Sequence, residues 1–113
     1  MKFKQKNYLI VGASSGIGQE IARQLSLEGA SVWTVSRHPS PDAAPGETWT
    51  ESDVTAADFS LGELPEVLHG LVYCPGSINL KPFHRISADD FRKELEINTV
   101  GAFRAVQMAL PAL

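Results

Sequence analysis

The sequence predicts an α/β fold with a parallel sheet, and three observations support this prediction. An apolar run enters a glycine-rich turn, a helical apolar pattern follows at once, and a β-branched run comes next. A strand, a turn, a helix and a second strand within roughly thirty residues form a βαβ unit, which implies parallel strands and a right-handed crossover. The 113 residues are 43% apolar and 20% charged, so we expect one globular domain over residues 1–113.

The first βαβ unit is predicted over residues 7–35. The apolar run NYLIV at residues 7–11 indicates a short buried strand. Gly29 is expected to end the helix that follows, because glycine readily adopts the left-handed conformation of a C′ position. The run SVWTV at residues 31–35 is β-branched and aromatic, which predicts the second strand. The apolar residues that share one face of the predicted helix are Ile17, Ile21, Ala22 and Leu25.

The middle of the chain gives weaker signals. Residues 37–47 contain three prolines and a glycine, which predicts a loop where a regular α/β fold has a helix. The run TWT at residues 48–50 indicates a third strand. A short helix is expected within residues 55–69, interrupted by Gly62 and Pro65.

The last third of the chain has clearer signals. The run LVYC at residues 71–74 predicts a fourth strand, which Pro75 ends. Ser87 is suited to cap the next helix, with Asp90 three residues later completing an imperfect capping box. We expect this helix to continue, with a kink, toward Leu110.

Charge and composition exclude several classes of protein. The net charge is -3 and no long basic run occurs, which argues against nucleic-acid binding and against anionic membranes. No apolar run approaches the roughly 18 residues of a membrane span. The one cysteine excludes an intrachain disulfide, and the three histidines lack metal-ligand spacing. We therefore expect a soluble cytoplasmic protein without a metal site.

The glycine-rich turn GASSGIG lies between the first strand and the first helix. The first turn of a helix presents unpaired N–H groups and a partial positive charge, which together suit a phosphate. Glycines let a ligand approach these groups and let the helix pack closely on the strand. The alternative is a tight turn that binds no ligand. The residues expected at the phosphates are Gly12, Ser14, Ser15, Gly16, Ile17 and Gly18.

This turn resembles the cofactor turn of the short-chain dehydrogenase/reductase family, the NAD(P)-dependent Rossmann oxidoreductases. Three further segments match that family's motifs in order: DVT at residues 53–55, CPG at residues 74–76 and INTVGAF at residues 97–103. The resemblance runs from about residue 7 to the last residue. It implies a Rossmann doubly wound parallel sheet, truncated after about four strands.

The resemblance also implies site residues in these segments. Asp53 matches the family's aspartate that contacts the adenine ring, and Val54 follows it. Gly76 is the residue of the family's Asn-Asn-Ala-Gly motif that is present here. Asn98 matches the family's catalytic asparagine, which anchors a water in the proton relay. An asparagine that kinks the helix by bonding local backbone is the alternative, and the two roles are compatible.

The end of the second strand bears on the choice of cofactor. NAD-binding Rossmann proteins place an acidic residue there for the ribose 2′-OH, but this chain has Ser36 and Arg37. A guanidinium can grip a 2′-phosphate, so the resemblance implies NADP(H) over NAD(H). The alternative is that Arg37 is a solvated loop charge.

The family's catalytic Tyr-x-x-x-Lys motif is absent from these 113 residues. Neither Tyr8 nor Tyr73 has a lysine four residues later. We therefore expect the chain to be the N-terminal, cofactor-binding half of such an enzyme, inactive alone. Residues 71–74 would then form an apolar edge strand, which favours association with a second copy or a complementary fragment.

Two classes of function remain open at this point. The first is an oxidoreductase that transfers a hydride between NADP(H) and a small carbonyl or alcohol substrate. The second is a non-catalytic dinucleotide-binding module that senses dinucleotide or assembles with a partner. A methyltransferase is disfavoured, because those enzymes usually end the second strand with an acid, whereas Arg37 follows it here. Cys74 is interpreted as a small apolar residue, because no base is evident beside it.

Overall fold

The computed structural model describes residues 2–14, 16–40, 43, 45–76 and 80–113. Its described strands form one parallel sheet in the order β3-β2-β1-β4. The strands are β1 (Asn7–Val11), β2 (Ser31–Ser36), β3 (Glu47–Glu51) and β4 (Gly70–Tyr73). A parallel sheet with its first strand in the interior confirms the predicted Rossmann-type doubly wound fold.

The helices follow the order that the sequence predicts. They are α1 (Gly16–Leu27), α2 (Ala88–Leu95) and α3 (Gly101–Ala109). A π-helical turn, Glu96–Val100, joins α2 to α3, and a single 3₁₀ turn, Phe83–Arg85, precedes α2. The helix therefore continues past α2 as expected, with one wide π-helical turn where the sequence predicts a kink.

Helix ends are set by the residues that the sequence suggests. Gly29 has a φ of +91°, and its N–H donates to the carbonyl of Ser26 at 3.1 Å, while the N–H of Ala30 donates to the carbonyl of Leu25 at 3.0 Å. These two bonds form a Schellman motif at the end of α1. At the start of α2, Ser87 makes a complete capping box with the residue three positions on. Both predicted helix signals are confirmed.

The sheet is covered on both faces by apolar side chains. Successive strand residues point to opposite faces, so Leu9 and Val11 contact one core and Ile10 the other. The first core also contains Phe59, Leu61, Leu68, Ala105 and Ala109, from the segment after β3 and from α3. The second core contains Ala13, Ala22, Ala30 and Val32, beneath α1.

Two local predictions are wrong. No helix forms within residues 55–69, where the described backbone makes turns and Gly62 has a φ of +72°. Leu61 and Leu68 are buried in this segment although it forms no helix. Ile17 does not share the apolar face of α1, because 76% of its surface is exposed.

Strand bounds differ from the prediction by a residue or two. β1 has the predicted bounds, β2 extends through Ser36, and β3 is longer by one residue at each end. β4 begins at Gly70 and ends at Tyr73, one residue earlier than predicted at both ends. None of the helices in the described ranges has the length and apolar character needed to cross a membrane.

Candidate functional site

A cleft of about 370 Å³ opens at the carboxyl ends of the strands. Val11 at the end of β1 pairs with Val35 on one side and with Tyr73 on the other, so the strand ends are level here. The chain leaves β1 toward β2 and reaches β4 on the opposite side, which makes this a topological switch point. Six of the residues predicted from the sequence line the cleft: Gly12, Ser14, Arg37, Asp53, Val54 and Gly76.

Four other predicted residues are described but do not line this cleft. Gly16, Ile17 and Gly18 form the first turn of α1, and Asn98 lies in the π-helical turn. Ser15 lies outside the described residues. The cleft is also lined by residues that were not predicted as site residues, among them Ser52, Thr55 and Ile97.

Two glycines bring the strand, the helix and the loop after β4 close together. Gly12 has a φ of +84°, and a Cβ on it would lie 2.8 Å from Cδ of Pro75. Gly18 is buried, and a Cβ on it would overlap the carbonyl oxygen of Gly12. Gly16 has open space around its Cα and a φ of +61°. Glycine is therefore required at position 18 by close packing beneath the turn, whereas at position 16 it is favoured by the left-handed backbone conformation.

The start of α1 adjoins the cleft. The first N–H groups of a helix have no intrahelical acceptor and carry a partial positive charge. The first turn of α1 contains no acidic side chain that would neutralise this charge. Gly12 and Ser14, which immediately precede the helix, both line the cleft. These features fit a pyrophosphate, and Gly16 adds no side chain to the open space at the start of the helix.

The end of β2 is closed by a small hydrogen-bond network. The hydroxyl of Ser36 donates to the carbonyl of His38 at 2.5 Å and accepts from the indole N–H of Trp49 at 3.0 Å. Arg37 lies between the two bonded residues, exposed at the side of the cleft. No carboxylate follows β2 directly, as the sequence indicates.

Asp53 is the acidic side chain that lines the cleft in the described part of the chain. Its Oδ1 accepts the N–H of Thr55 at 2.8 Å and the hydroxyl of Thr55 at 2.7 Å. These two hydrogen bonds, in that order, hold the pKa of Asp53 below its usual value, and the positive charge of Arg37 adds to the effect. Asp53 is therefore ionised at neutral pH, and its carboxylate is fixed against the turn.

The segment after β4 forms the other wall of the cleft. The N–H of Cys74 donates to the carbonyl of Val11 at 2.8 Å, which extends the parallel pairing past the end of the strand. Burial raises the pKa of the Cys74 thiol, so the thiol stays protonated at neutral pH. A Cβ on Gly76 would lie 3.2 Å from Oδ1 of Asn98. The fold thus brings Asn98 beside this wall, although Asn98 does not line the cleft.

Arg104 supports the turn that follows β3. Its guanidinium donates to the carbonyl of Val54 at 3.2 Å and to the carbonyl of Ala57 at 3.3 Å. The same group lies 5.3 Å from the ring centroid of Phe59. No local sequence signal predicts this contact, because it joins α3 to a segment about fifty positions earlier and only the folded chain brings them together.

A parallel sheet with a glycine-rich turn and a cleft at its switch point is the arrangement of a Rossmann-type α/β domain. The sequence model of short chain dehydrogenases matches residues 6–113. The chain belongs to the short-chain dehydrogenase family.

Individual relatives match along nearly the whole chain. It is 29% identical to a 1-hydroxy-2-glutathionyl-2-methyl-3-butene dehydrogenase of Rhodococcus sp. (strain AD45), over 93% of this chain and 50% of that protein. It is 31% identical to a tropinone reductase homolog of Arabidopsis thaliana, over 95% of this chain and 47% of that protein. The chain therefore spans about half the length of the relatives that it matches.

Solved structures give the same result. A short-chain type dehydrogenase/reductase from Mycobacterium ulcerans is 27% identical and superposes with a TM-score of 0.80, covering 99% of this chain and 48% of that one. The aldohexose dehydrogenase of Thermoplasma acidophilum is 26% identical with a TM-score of 0.82, covering 97% of this chain and 45% of that one. These likenesses confirm the fold.

Proposed function

We propose that this chain is the cofactor-binding part of an NADP(H)-dependent short-chain oxidoreductase. The whole enzyme would interconvert a small carbonyl compound and the corresponding alcohol. The observation behind this proposal is the cleft at the switch point, where Gly12 and Ser14, Arg37 and Asp53 meet from three different strand ends. When bound, the dinucleotide supplies or accepts the hydride that is exchanged with the substrate carbon.

The cleft offers each part of the dinucleotide a suitable group. The N–H groups at the start of α1, with Ser14 and its neighbours Ser15 to Gly18, would hold the pyrophosphate. Asp53 and Val54 would contact the adenine ring. The guanidinium of Arg37 would bind the 2′-phosphate, and its geometry suits an anion with several oxygens.

Asn98 and Gly76 would lie at the reactive end of the cofactor. Their proximity, across 3.2 Å between Oδ1 and the position of a Cβ on the glycine, supports this placement. We propose Asn98 as a catalytic residue of the complete enzyme, where it would hold a water for proton transfer. The 113 residues contain no Tyr-x-x-x-Lys motif, so the chain alone should not turn over substrate.

The chain should also associate. Among the described strands, β4 pairs with β1 alone, and its four residues are all half-buried. An apolar strand with one free edge favours pairing with another chain. We propose a homo-oligomer, and light scattering coupled to size-exclusion chromatography tests it. A cytoplasmic location stays a prediction from composition.

Titration calorimetry of the chain with NADPH and with NADH tests the proposed function. NADPH should bind at least about tenfold more tightly than NADH, because hydrogen bonds to a charged group contribute about 1.5–3 kcal/mol. Arg37→Ala should remove this preference and leave NADH binding unchanged. The matched control is Arg92→Ala, on the exposed face of α2. Absence of binding by either dinucleotide would reject the proposed cofactor.

A further inference from the structure

We propose that Trp49 is a positioning residue for recognition of the 2′-phosphate, because it fixes the turn that carries Arg37. This inference rests on the proposed function and deepens it. Trp49 does not line the cleft itself. Its effect on the ligand is transmitted through Ser36, the last residue of β2.

The two residues meet diagonally across the pair of strands β2 and β3. Thr34 pairs with Trp49 and Ser36 pairs with Glu51, so the side chains of Ser36 and Trp49 point to the same face of the sheet. The indole N–H of Trp49 reaches Oγ of Ser36 at 3.0 Å.

The bond uses a lone pair of the Ser36 hydroxyl and leaves its proton for another acceptor. An indole N–H can only donate, whereas a hydroxyl has one proton to donate and lone pairs that accept. Oγ of Ser36 accepts from Trp49 and donates its own proton to the carbonyl of His38 at 2.5 Å, so the hydroxyl is held from both sides. That second bond closes a turn around Arg37. It also means that Ser36 has no proton left for a phosphate.

The far end of the same turn is anchored to α1. The side-chain amide of Gln19 donates to Oγ of Ser40 at 2.9 Å. The backbone that carries Arg37 is thus fixed before it by Ser36 and after it by Ser40. The Arg37 side chain remains exposed at the side of the cleft, where its positive charge acts on the Asp53 carboxylate.

A fixed turn should matter more for NADPH than for NADH. Binding a phosphate with a long side chain requires ordering that side chain, and a backbone that is already fixed reduces this cost. NADH lacks the 2′-phosphate, so its binding does not use Arg37. The ratio of the two affinities therefore reports on the turn, while a general loss of stability would weaken both dinucleotides alike.

The test compares Trp49→Phe with the wild-type chain. Phenylalanine keeps an aromatic ring but has no N–H, so NADPH should bind about three- to tenfold more weakly, the effect of one neutral hydrogen bond. NADH affinity should stay unchanged. The matched control is Trp33→Phe, which alters a tryptophan on β2 that packs against the core and should leave the affinity ratio as it is.

Substitutions of Ser36 supply the second arm. Ser36→Ala should reproduce the loss of NADPH preference, and Ser36→Thr, which keeps the hydroxyl, should restore it. Equal weakening of both dinucleotides by Trp49→Phe, or none, would overturn the inference and leave the proposed cofactor standing. A wild-type chain that binds neither dinucleotide would instead reject the proposed function.

A measurement without ligand tests the hydrogen bond between Trp49 and Ser36 independently of dinucleotide binding. The indole N–H of Trp49 should exchange with solvent more slowly in the wild-type chain than in Ser36→Ala, because it is hydrogen-bonded. Nuclear magnetic resonance resolves this group. Equal exchange rates would overturn the inference whatever the dinucleotides do.

Discussion

The hydroxyl of Tyr73 donates a hydrogen bond to the carbonyl of Ile97 at 2.5 Å, and this bond joins the end of β4 to the π-helical turn. In that turn the N–H of Gly101 donates to Glu96, five residues earlier, and not to Ile97, its acceptor in an α-helix. The hydroxyl of Tyr73 therefore donates to a carbonyl that has lost its α-helical donor in the wide turn. Burial raises the pKa of Tyr73, so the group remains a neutral donor at physiological pH.

The first prediction concerns the glycine at the end of this turn. A Cβ on Gly101 would overlap the hydroxyl oxygen of Tyr73. Gly101→Ala should therefore destabilise the chain by about 1–3 kcal/mol, as overpacking does, even though alanine is the better helix former. Urea unfolding measures the change. A more stable Gly101→Ala chain would show that the two groups do not approach each other.

The second prediction is that removing the Tyr73 hydroxyl offsets that clash. Tyr73→Phe alone should cost about 1 kcal/mol, the value of one hydrogen bond. The double variant with Gly101→Ala should be less destabilised than the sum of the single changes, by roughly 1 kcal/mol, since residues in contact are not additive. Strict additivity in the unfolding free energies would contradict the proposed contact.

How far the sequence predicts this region depends on the range of the interaction. Ser87 and Asp90 lie three residues apart, so their capping box follows from local sequence alone. The role of Tyr73 does not, because its partner Ile97 lies 24 positions away and the bond requires a particular width of the helical turn. The sequence predicts a kinked helix here, but it does not predict the contact with Tyr73 that stabilises the wide turn.

The cleft shows the same division. Glycines directly after a predicted strand are a local signal for a turn, and Gly12 lies in the turn after β1 as that signal predicts. The packing task of Gly18 depends on the distance between α1 and β1, which local sequence does not contain. The exposure of Ile17 likewise depends on how α1 lies against the sheet, which local sequence does not specify.

The third prediction separates the two glycines of α1. Gly18→Ala should cost more stability than Gly16→Ala, because its Cβ would overlap the carbonyl oxygen of Gly12 and backbone atoms on both sides are fixed. Gly16→Ala meets no atom, and its cost of about 1–2 kcal/mol comes from the left-handed φ alone. Thermal unfolding of both variants checks the order. The reverse order would mean that α1 lies farther from β1.

The fourth prediction concerns pH. The pKa of Asp53 is lowered in the folded chain, so its ionised carboxylate stabilises the fold at pH 7. This stability is lost as the pH falls below about 4, the ordinary pKa of aspartate, and through the pKa of the folded chain. Thr55→Val removes the second-largest cause, the hydroxyl hydrogen bond, and Arg37→Ala removes the smaller charge effect.

Titration of the Asp53 carboxyl by nuclear magnetic resonance measures this order. The pKa should rise in both variants, and more in Thr55→Val than in Arg37→Ala. It should not reach its ordinary value in either, because the Thr55 N–H still donates. A larger rise in Arg37→Ala would show that charge, and not hydrogen bonding, dominates at this carboxylate.

The fifth prediction is that Arg104 holds the turn after β3 in place. Arg104→Met keeps the length and packing of the side chain but removes the donors to Val54 and Ala57 and the charge over Phe59. The free energy of unfolding should fall by about 1.5–3 kcal/mol, the range for hydrogen bonds from a charged group.

The local effect of the same change distinguishes it from a general loss of stability. Two N–H groups should exchange faster in Arg104→Met under native conditions. They are that of Ala56, which donates to the backbone carbonyl of Asp53 at 3.0 Å, and that of Phe59, which donates to the carbonyl of Ala56 at 3.1 Å. The N–H groups of β1 should show no more acceleration than the drop in global stability requires. Arg92→Met is the matched control, since its exposed ion pair with Asp89 contributes little. If amide exchange accelerated equally in the turn and in β1, Arg104 would stabilise the whole fold and not the turn after β3 in particular.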